Sequence, residues 1–323
     1  MNILQQFENE VRSPGAIAWL WIPLVLFATV AQTARNAAQR SLTAEAGTIG
    51  ATLARFLYAL PLAITLVIAT ECFSSNVPRA STFSTTFFLW LGVGAVSQVA
   101  ATAFLLAAMK QRNFVVAVTY SKTEILQVAV IGALVLHEIP NMLTISAMLL
   151  AMSGVVLLSL PALHATNSDH VNTSSSPAVT YGIFSGTAFA LAAVGYRKAG
   201  LDLSAAGTLP VWIVSAWSVF WAQVLQSVLL TAWLYFRDKP SLLAVFRLWR
   251  VSMLAGSAGA FASFAWFAAY VLHSAAEVRT LGMTEVIFSY FVSRRFLKED
   301  VSRAEKIGLA LVICGVAAVC FVS

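Results

Sequence analysis

The stretch that decides the fold runs from Asn113 to Glu138 and reads NFVVAVTYSKTEILQVAVIGALVLHE. Apolar residues dominate it over the roughly 17–25 positions that a helix needs to cross a bilayer. Two opposite charges, Lys122 and Glu124, nevertheless stand near its middle. A charge at the bilayer centre costs about 2.5–3.5 kcal/mol on insertion scales, so each needs a partner or a functional reason.

Composition extends this interpretation to the whole chain. Of its 323 residues, 59% are hydrophobic and only 11% are charged, and the mean hydropathy is +0.81. A soluble domain is about one quarter charged, so this composition predicts a protein whose main solvent is membrane lipid. The formal charge of +6 is scattered between apolar runs without a basic-aromatic patch. It therefore indicates loops facing headgroups, and no nucleic-acid partner is expected.

The sequence offers no enzymatic or cofactor motif. Cys72, Cys314 and Cys320 form no CxxC pair and no Cys/His cluster, so neither a disulfide framework nor a metal site is expected. HExxH, GxSxG in its structural context and the phosphate-binding loop Gly-x4-GK[ST] are also missing. The chain is therefore predicted not to be an enzyme and to hold no cofactor, and ATP hydrolysis in this chain is disfavoured.

Ten apolar runs have the length of a membrane span, and polar segments separate them. They lie at about 16–38, 47–70, 86–109, 114–136, 141–160, 178–197, 208–234, 250–272, 279–296 and 306–322. We therefore predict an all-α polytopic membrane protein with ten transmembrane helices. The longest separator, HATNSDHVNTSSSP, stands near the middle of the chain. The expected divisions are an N-terminal segment 1–15, a first repeat 16–160, a linker loop 161–177 and a second repeat 178–323.

The two halves match each other without gaps when the sequence is shifted by 161 positions. The coinciding residues are Thr123-Glu124 with Thr284-Glu285, Glu138 with Glu299, and Gly154-Val155 with Gly315-Val316. Because five helices is an odd number, the second half starts on the opposite side of the membrane, and the halves become inverted repeats. That arrangement is typical of secondary transporters, whose substrate site lies near the midplane between the repeats.

The two repeat-related carboxylates, Glu124 and Glu285, are the leading site candidates, able to bind a cationic group or to take a proton. Tyr120 and Gln127 share the helical stripe of Glu124. Lys122, two positions from Glu124, is about 200° away on a continuous helix and is expected on another face. It would reach another helix, line a different wall of the cavity or balance Glu285. A purely structural pairing is the alternative for each of these charges.

Other polar residues of the apolar runs are candidates for the same cavity. Gln32, Asn36 and Gln39 form a stripe on the first run with Arg35 beside it, and Gln98 and Thr102 form another on the third. Arg55 on the second run would meet a substrate carboxylate or hold Glu124 ionised. Trp266, Tyr270 and His273 recur at helical spacing, as packing residues or as a cation–π wall for an amine.

Several charges at the ends of the runs are interpreted as solvated helix-end groups. These are Glu138, Glu277, Arg279 and Glu299.

The pattern resembles the EamA-type branch of the drug/metabolite transporter superfamily over about residues 16–322. Three features carry the resemblance. The first half ends with TEILQVAVIGALVLHE followed by MLLAMSGVVLL, and the second half ends with TEVIFSYFVSRRFLKE followed by GLALVICGVAAV. The third feature is the pair Arg55-Phe56 in the second run. The resemblance implies a ten-helix carrier of the bacterial inner membrane without naming its cargo. The family often has proline after these glutamates, whereas Ile125 and Val286 stand here, so less kinked helices are expected.

Together these observations predict a secondary active transporter that exports a small polar or cationic metabolite, an amino acid or amine, by alternating access. Its partners would be the small-molecule substrate, membrane lipid and a proton or exchange substrate. The alternatives are an importer of a quaternary amine, an integral membrane enzyme and a non-transporting receptor. The resemblance places both termini in the cytoplasm. In that orientation five basic residues lie on the cytoplasmic side and twelve on the outer side, so the positive-inside rule favours the opposite orientation.

Overall fold

A computed structural model describes residues 14–74, 77–109, 120–167, 177–207, 209–288 and 303–322. Every regular element within these ranges is helical. The helices are α1 (Pro14–Leu57), α2 (Leu60–Cys72), α3 (Thr85–Met109), α4 (Glu124–Leu136), α5 (Met142–Asn167), α6 (Pro177–Gly207), α7 (Val211–Arg237), α8 (Lys239–Arg247), α9 (Trp249–Leu272), α10 (Ala275–Leu281) and α11 (Arg303–Val322). A 3₁₀ turn covers Ala80–Thr82, and residues 284–288 are also helical.

The helices have the dimensions of membrane spans. Six in the described part are long and apolar enough to cross a bilayer: Trp19–Cys72, Thr85–Ala107, Val179–Ala206, Val211–Arg237, Trp249–Leu272 and Ala304–Phe321. Large apolar side chains such as Leu134, Phe236 and Phe321 lie on the outside, as lipid contact requires. The chain is a multi-pass integral membrane protein, and the predicted all-α membrane class is confirmed.

A single glycine folds the long helix α1 back on itself. Gly47 has φ 66°, a backbone conformation that residues with a Cβ rarely adopt. Arg35 and Arg55 lie on either side of it, and a straight helix would separate them by about 30 Å. Both side chains nevertheless pack on Gly259 of α9, where an added Cβ would lie 3.3 Å from Arg55 Cγ and 3.4 Å from Arg35 Cδ. The kink at Gly47 therefore brings both segments of α1 against α9.

Three helix pairs make the largest contacts: α1 with α9, α3 with α6, and α5 with α11. Small residues bring the last pair together. A Cβ on Gly154 would lie 2.6 Å from the carbonyl oxygen of Gly308, and one on Gly315 would lie 2.6 Å from the backbone nitrogen of Ala151. Such close backbone approach is how helices associate in lipid, where van der Waals packing replaces the hydrophobic effect.

One boundary differs from the sequence-based division. Helix α5 continues to Asn167, past the predicted start of the linker at 161. Ala162, Leu163 and Ala165 are good helix formers, which extends the helix beyond its apolar run. The remaining linker residues 168–176, and Glu299 with the end of the predicted ninth run, lie outside the described residues.

Candidate functional site

A cavity of about 580 Å³ lies between the helices, within the range of small-molecule sites. Its walls come from the first-half helices α1, α3 and α4 and the second-half helices α6, α9 and α10. The polar and charged residues that line it are Gln32, Thr33, Arg35, Asn36, Gln39, Arg40, Arg55, Gln98, Thr102, Ser121, Lys122, Glu124, Tyr196, Ser263, Tyr270, Arg279 and Glu285. In a multi-pass protein such a concentration of polar groups marks the candidate site.

Glu285 is held by three side chains. Lys122 Nζ lies 3.4 Å from Glu285 Oε2, to which Gln32 Nε2 also donates a hydrogen bond of 2.8 Å. Asn36 Nδ2 donates to Oε1 at 2.9 Å. The predicted amide stripe of α1 thus faces a carboxylate of the second half, as expected for a polar stripe turned away from lipid. Glu285 is both charge-paired and hydrogen-bonded.

Glu124 is paired differently. Arg279 Nη2 lies 2.5 Å from Glu124 Oε1, so the two side chains form an ion pair. Among the described residues no hydrogen bond reaches this buried oxygen, and Arg279 Nε also has no acceptor. The Arg279 guanidinium lies 4.8 Å from the centroid of the Trp266 ring, in cation–π geometry. Arg279 was expected to be a solvated helix-end group, and that expectation is wrong because α10 turns it into the cavity.

Both glutamates follow a tightened turn in their helix. Thr123 N donates to Tyr120 O at 3.2 Å and Ile125 N to Lys122 O at 3.3 Å, which are i to i+3 bonds. In the second half Glu285 N donates to Gly282 O at 3.1 Å in the same manner. Each of these helices is therefore interrupted just before its glutamate although no proline follows that glutamate. Turns of 3₁₀ type inside a helix often mark functional hinges.

The turn also changes where Lys122 points. A continuous helix would have placed Lys122 and Glu124 on different faces, but α4 begins only at Glu124. Both side chains line the same cavity, where Lys122 meets Glu285 and Glu124 meets Arg279. Lys122 thus does not pair with Glu124, as predicted, and of the roles considered for it the structure shows the contact with Glu285.

Two further arginines are buried in the cavity wall. Arg35 is 5% exposed and Arg55 is 3% exposed. Arg35 donates from Nε and Nη2 to a single acceptor, Asn36 Oδ1, at 3.3 and 2.8 Å. Arg55 donates one hydrogen bond, from Nη1 to Thr102 Oγ1 at 3.3 Å, and its Nε has no acceptor. Neither has a carboxylate within ion-pair distance in the part of the chain that the structure describes.

Gln98 belongs to a network of neutral side chains. Its Oε1 accepts hydrogen bonds from Tyr196 Oη at 2.9 Å and from Gln226 Nε2 at 2.8 Å. Gln226 also donates to the Ala95 carbonyl at 3.1 Å, which ties the network to the backbone of α3. The network adds no charge to the cavity, and within the described residues Gln226 Oε1 accepts no hydrogen bond.

The aromatic residues of α9 pack within the protein. Trp266 and Tyr270 are stacked with ring centroids 6.0 Å apart, and Trp266 Nε1 donates to Gln32 Oε1 at 3.2 Å. His273, the third residue of the predicted stripe, packs against Trp21 with tilted rings whose centroids lie 4.5 Å apart. His273 lies outside the cavity lining. Trp266 and Tyr270 thus line the site, and one face of Trp266 already carries Arg279.

A polar layer, formed by Glu138, Arg197, His273 and Glu277, lies one helical turn from Tyr270. Arg197 Nε donates to both carboxylate oxygens of Glu138 at 2.6 and 2.9 Å, and Nη1 donates to the carbonyls of Tyr270 and His273. His273 Nδ1 lies 2.6 Å from Glu277 Oε2. Glu138 and Glu277 were expected to be solvated helix-end groups, but they are partly buried because loops and helix ends converge here.

The structure brings most of the predicted site residues together. Nine line the cavity: Glu124, Glu285, Lys122, Arg55, Gln98, Gln32, Asn36, Trp266 and Tyr270. Tyr120 is exposed and does not line it, because the turn after it breaks the predicted stripe. Sequence reasoning missed Arg279 and Tyr196. Arg279 stands only six positions before Glu285, which was the available signal that both could reach one site. The predicted ninth run begins at Arg279, however, so the residue is interpreted there as a helix-end group.

Comparisons with known proteins add information on the fold. No family model matches the chain. No curated protein matches it. Chains of solved structures do match, among them one described only as the crystal structure of a protein, with 14% identity and a TM-score of 0.66. The similarity covers 95% of this chain and 98% of the other. At this identity the likeness shows the fold alone, and the architecture is thus one that recurs in solved proteins.

Proposed function

We propose that the chain is a secondary active transporter of the bacterial cytoplasmic membrane that exports a small polar metabolite by alternating access. One observation carries the proposal. The residues around Glu124 and Glu285 form two crossed ion pairs, in which Lys122 of the first half meets Glu285 of the second, and Arg279 of the second half meets Glu124 of the first. Both pairs line the same cavity.

Crossed pairs suit a carrier because they join parts of the chain that must move relative to each other. Each pair links α4 and the turn before it to α10 and residues 284–288. A substrate or proton that weakens one pair changes the connection between the two halves. A static structural core would gain more from apolar packing, since buried ion pairs often contribute little net stability.

Packing of α5 against α11 supports the inverted repeat. Gly154 lies against Gly308 and Val312, and Gly315 lies against Ala147 and Ala151. The shift of 161 positions that superimposes the two halves of the sequence relates the first set of contacts to the second. Such reciprocity is what a twofold axis between the halves would produce. The resemblance to EamA-type carriers agrees with this arrangement.

Replacing Glu124 by Gln tests the transport mechanism. We expect the E124Q protein to fold but to lose gradient-driven flux in proteoliposomes by at least tenfold, because the amide can neither pair with Arg279 as an anion nor exchange a proton. The measurement is uptake of a ligand first found by its thermal stabilisation of the purified protein at two pH values.

The matched control is E45Q. Glu45 pairs with Arg247 at 3.1 Å, but both side chains are more than half exposed, and neither lines the cavity. Exposed pairs contribute about 0–1 kcal/mol, so this variant should transport at the wild-type rate. Wild-type flux by E124Q would refute the assigned role of Glu124.

A further inference from the structure

The charges of the cavity do not balance. Apart from the exposed Arg40, the charged residues that line it are buried or partly buried: four cations, Arg35, Arg55, Lys122 and Arg279, and two carboxylates, Glu124 and Glu285. The carboxylates are already paired with Lys122 and Arg279. Arg35 and Arg55 therefore have no carboxylate within ion-pair distance in the described cavity wall, although Glu285 lies near enough to attract Arg35. Arginine stays charged even when buried.

The two arginines also lie close together. A Cβ added to Gly259 would lie 3.3 Å from Arg55 Cγ and 3.4 Å from Arg35 Cδ, so both side chains share the space beside this glycine. Like charges held together away from water repel each other, and a buried charge is tolerated only where something compensates it. Arg55 donates one hydrogen bond in the described part of the structure, and its Nε faces no acceptor.

Arg197 shows, in the same chain, what a structural arginine looks like. It donates to both oxygens of Glu138 and to two backbone carbonyls. Its charge is neutralised and its donors are used within the protein. Arg35 and Arg55 have neither feature, since their acceptors are the neutral side chains of Asn36 and Thr102.

We propose that Arg35 and Arg55 bind the anionic group, a carboxylate or a chemically similar oxyanion, of a small substrate; the inference rests on the proposed carrier function. The planar guanidinium matches two acceptor oxygens at once, which suits such a group. The apolar part of the substrate would contact Phe189 and Phe267, which also line the cavity. This assignment replaces the expected amine, because both carboxylates and one face of Trp266 are occupied by the protein's own cations.

Thermal unfolding of the purified protein with three probes of similar shape tests the charge preference. The probes are benzoate, benzamide and benzylamine, with succinate and inorganic phosphate as further anions. We expect stabilisation by at least one anion and none by benzylamine, with a loss of anion affinity of at least tenfold in R35Q and in R55Q. The control R250Q, at an exposed arginine on Trp249 outside the cavity, should bind as wild type does. Stabilisation by benzylamine alone, or by no anion, would overturn the proposal.

A second readout needs no ligand. Removing an uncompensated cation should leave the Tm of the ligand-free R55Q protein at or above that of wild type, whereas R197Q should lower it. A fall in R55Q as large as that in R197Q would make Arg55 structural and overturn the proposal. If anion binding depends on both arginines but the protein shows no flux in proteoliposomes, the anion site is supported and the carrier function is refuted. Transport of benzylamine at the same rate in wild type, R35Q and R55Q would support the carrier function and refute the anion site.

Discussion

At the scale of single residues, the two glutamates of the cavity occupy matching positions in the two halves of the sequence but have different surroundings. Glu285 has a cation and two amide donors, from Lys122, Gln32 and Asn36. Glu124 has Arg279 as its ion-pair partner among the described residues, and its Oε1 accepts no hydrogen bond there. Loss of the cation should therefore harm Glu124 more than Glu285.

This difference predicts a ranking of two variants. Breaking a buried pair by removing one partner costs roughly 3–5 kcal/mol, because the other charge is left uncompensated. We expect R279Q to approach that cost and K122Q to fall below it, since the amides of Gln32 and Asn36 continue to hold Glu285. Thermal unfolding in detergent measures both, with the exposed Lys239 replaced by Gln as the control. A larger fall in Tm for K122Q than for R279Q would contradict this account.

The sequence supports part of this picture and leaves the rest open. Glu124 and Glu285 stand out because a charge in an apolar run is costly and the same pair recurs in both halves. Their partners do not stand out in the same way. Arg279 sits where the apolar run begins, and nothing in linear spacing shows that a short helix, Ala275–Leu281, turns it inward.

At the scale of elements, local hydrogen bonding decides which residues share a face. A helical wheel applied to Lys122 and Glu124 assumes 3.6 residues per turn throughout. The i to i+3 bonds around Thr123 violate that assumption at the point where it matters. No proline or glycine stands between Lys122 and Glu124 to announce the break. In the second half Gly282 stands in the corresponding turn before Glu285, and this glycine is a signal of the break in the sequence itself.

Glycines of the α5 and α11 pair yield a prediction about packing. An added Cβ at Gly154 would lie 2.6 Å from a backbone oxygen, so the helices must separate to accept G154A. Overpacking of this kind costs about 1–3 kcal/mol, and G315A should behave alike because its contacts are the reciprocal ones. Thermal unfolding measures the loss.

The control for this packing prediction is G132A in α4. No atom would lie within 4 Å of its Cβ, and alanine is the better helix former by about 1 kcal/mol. G132A should therefore match or exceed the Tm of wild type. Unchanged stability of both G154A and G315A would mean that close packing of α5 on α11 does not hold the pair together.

At the scale of the whole molecule, a cavity and a polar layer occupy different depths. The layer of Glu138, Arg197, His273 and Glu277 ties the ends of several helices together beside Tyr270. In the proposed alternating-access mechanism, an opening of the cavity past Tyr270 would break these contacts. Sequence pattern predicted the membrane class and the concentration of polar residues between the halves. It did not predict the layer, because loops that join its members carry no periodic signal.

The central claim, that the cavity opens alternately to both sides of the membrane, can be measured without knowing the substrate. Ser263 lines the cavity and is buried, so S263C in a protein whose Cys72, Cys314 and Cys320 are replaced by Ser provides one thiol at the site. A membrane-impermeant maleimide is added to right-side-out and to inside-out vesicles. A147C, in the dry contact between α5 and α11, serves as the control that neither preparation should label. The account predicts labelling of S263C in both preparations; labelling from one side only, or from neither, would contradict it.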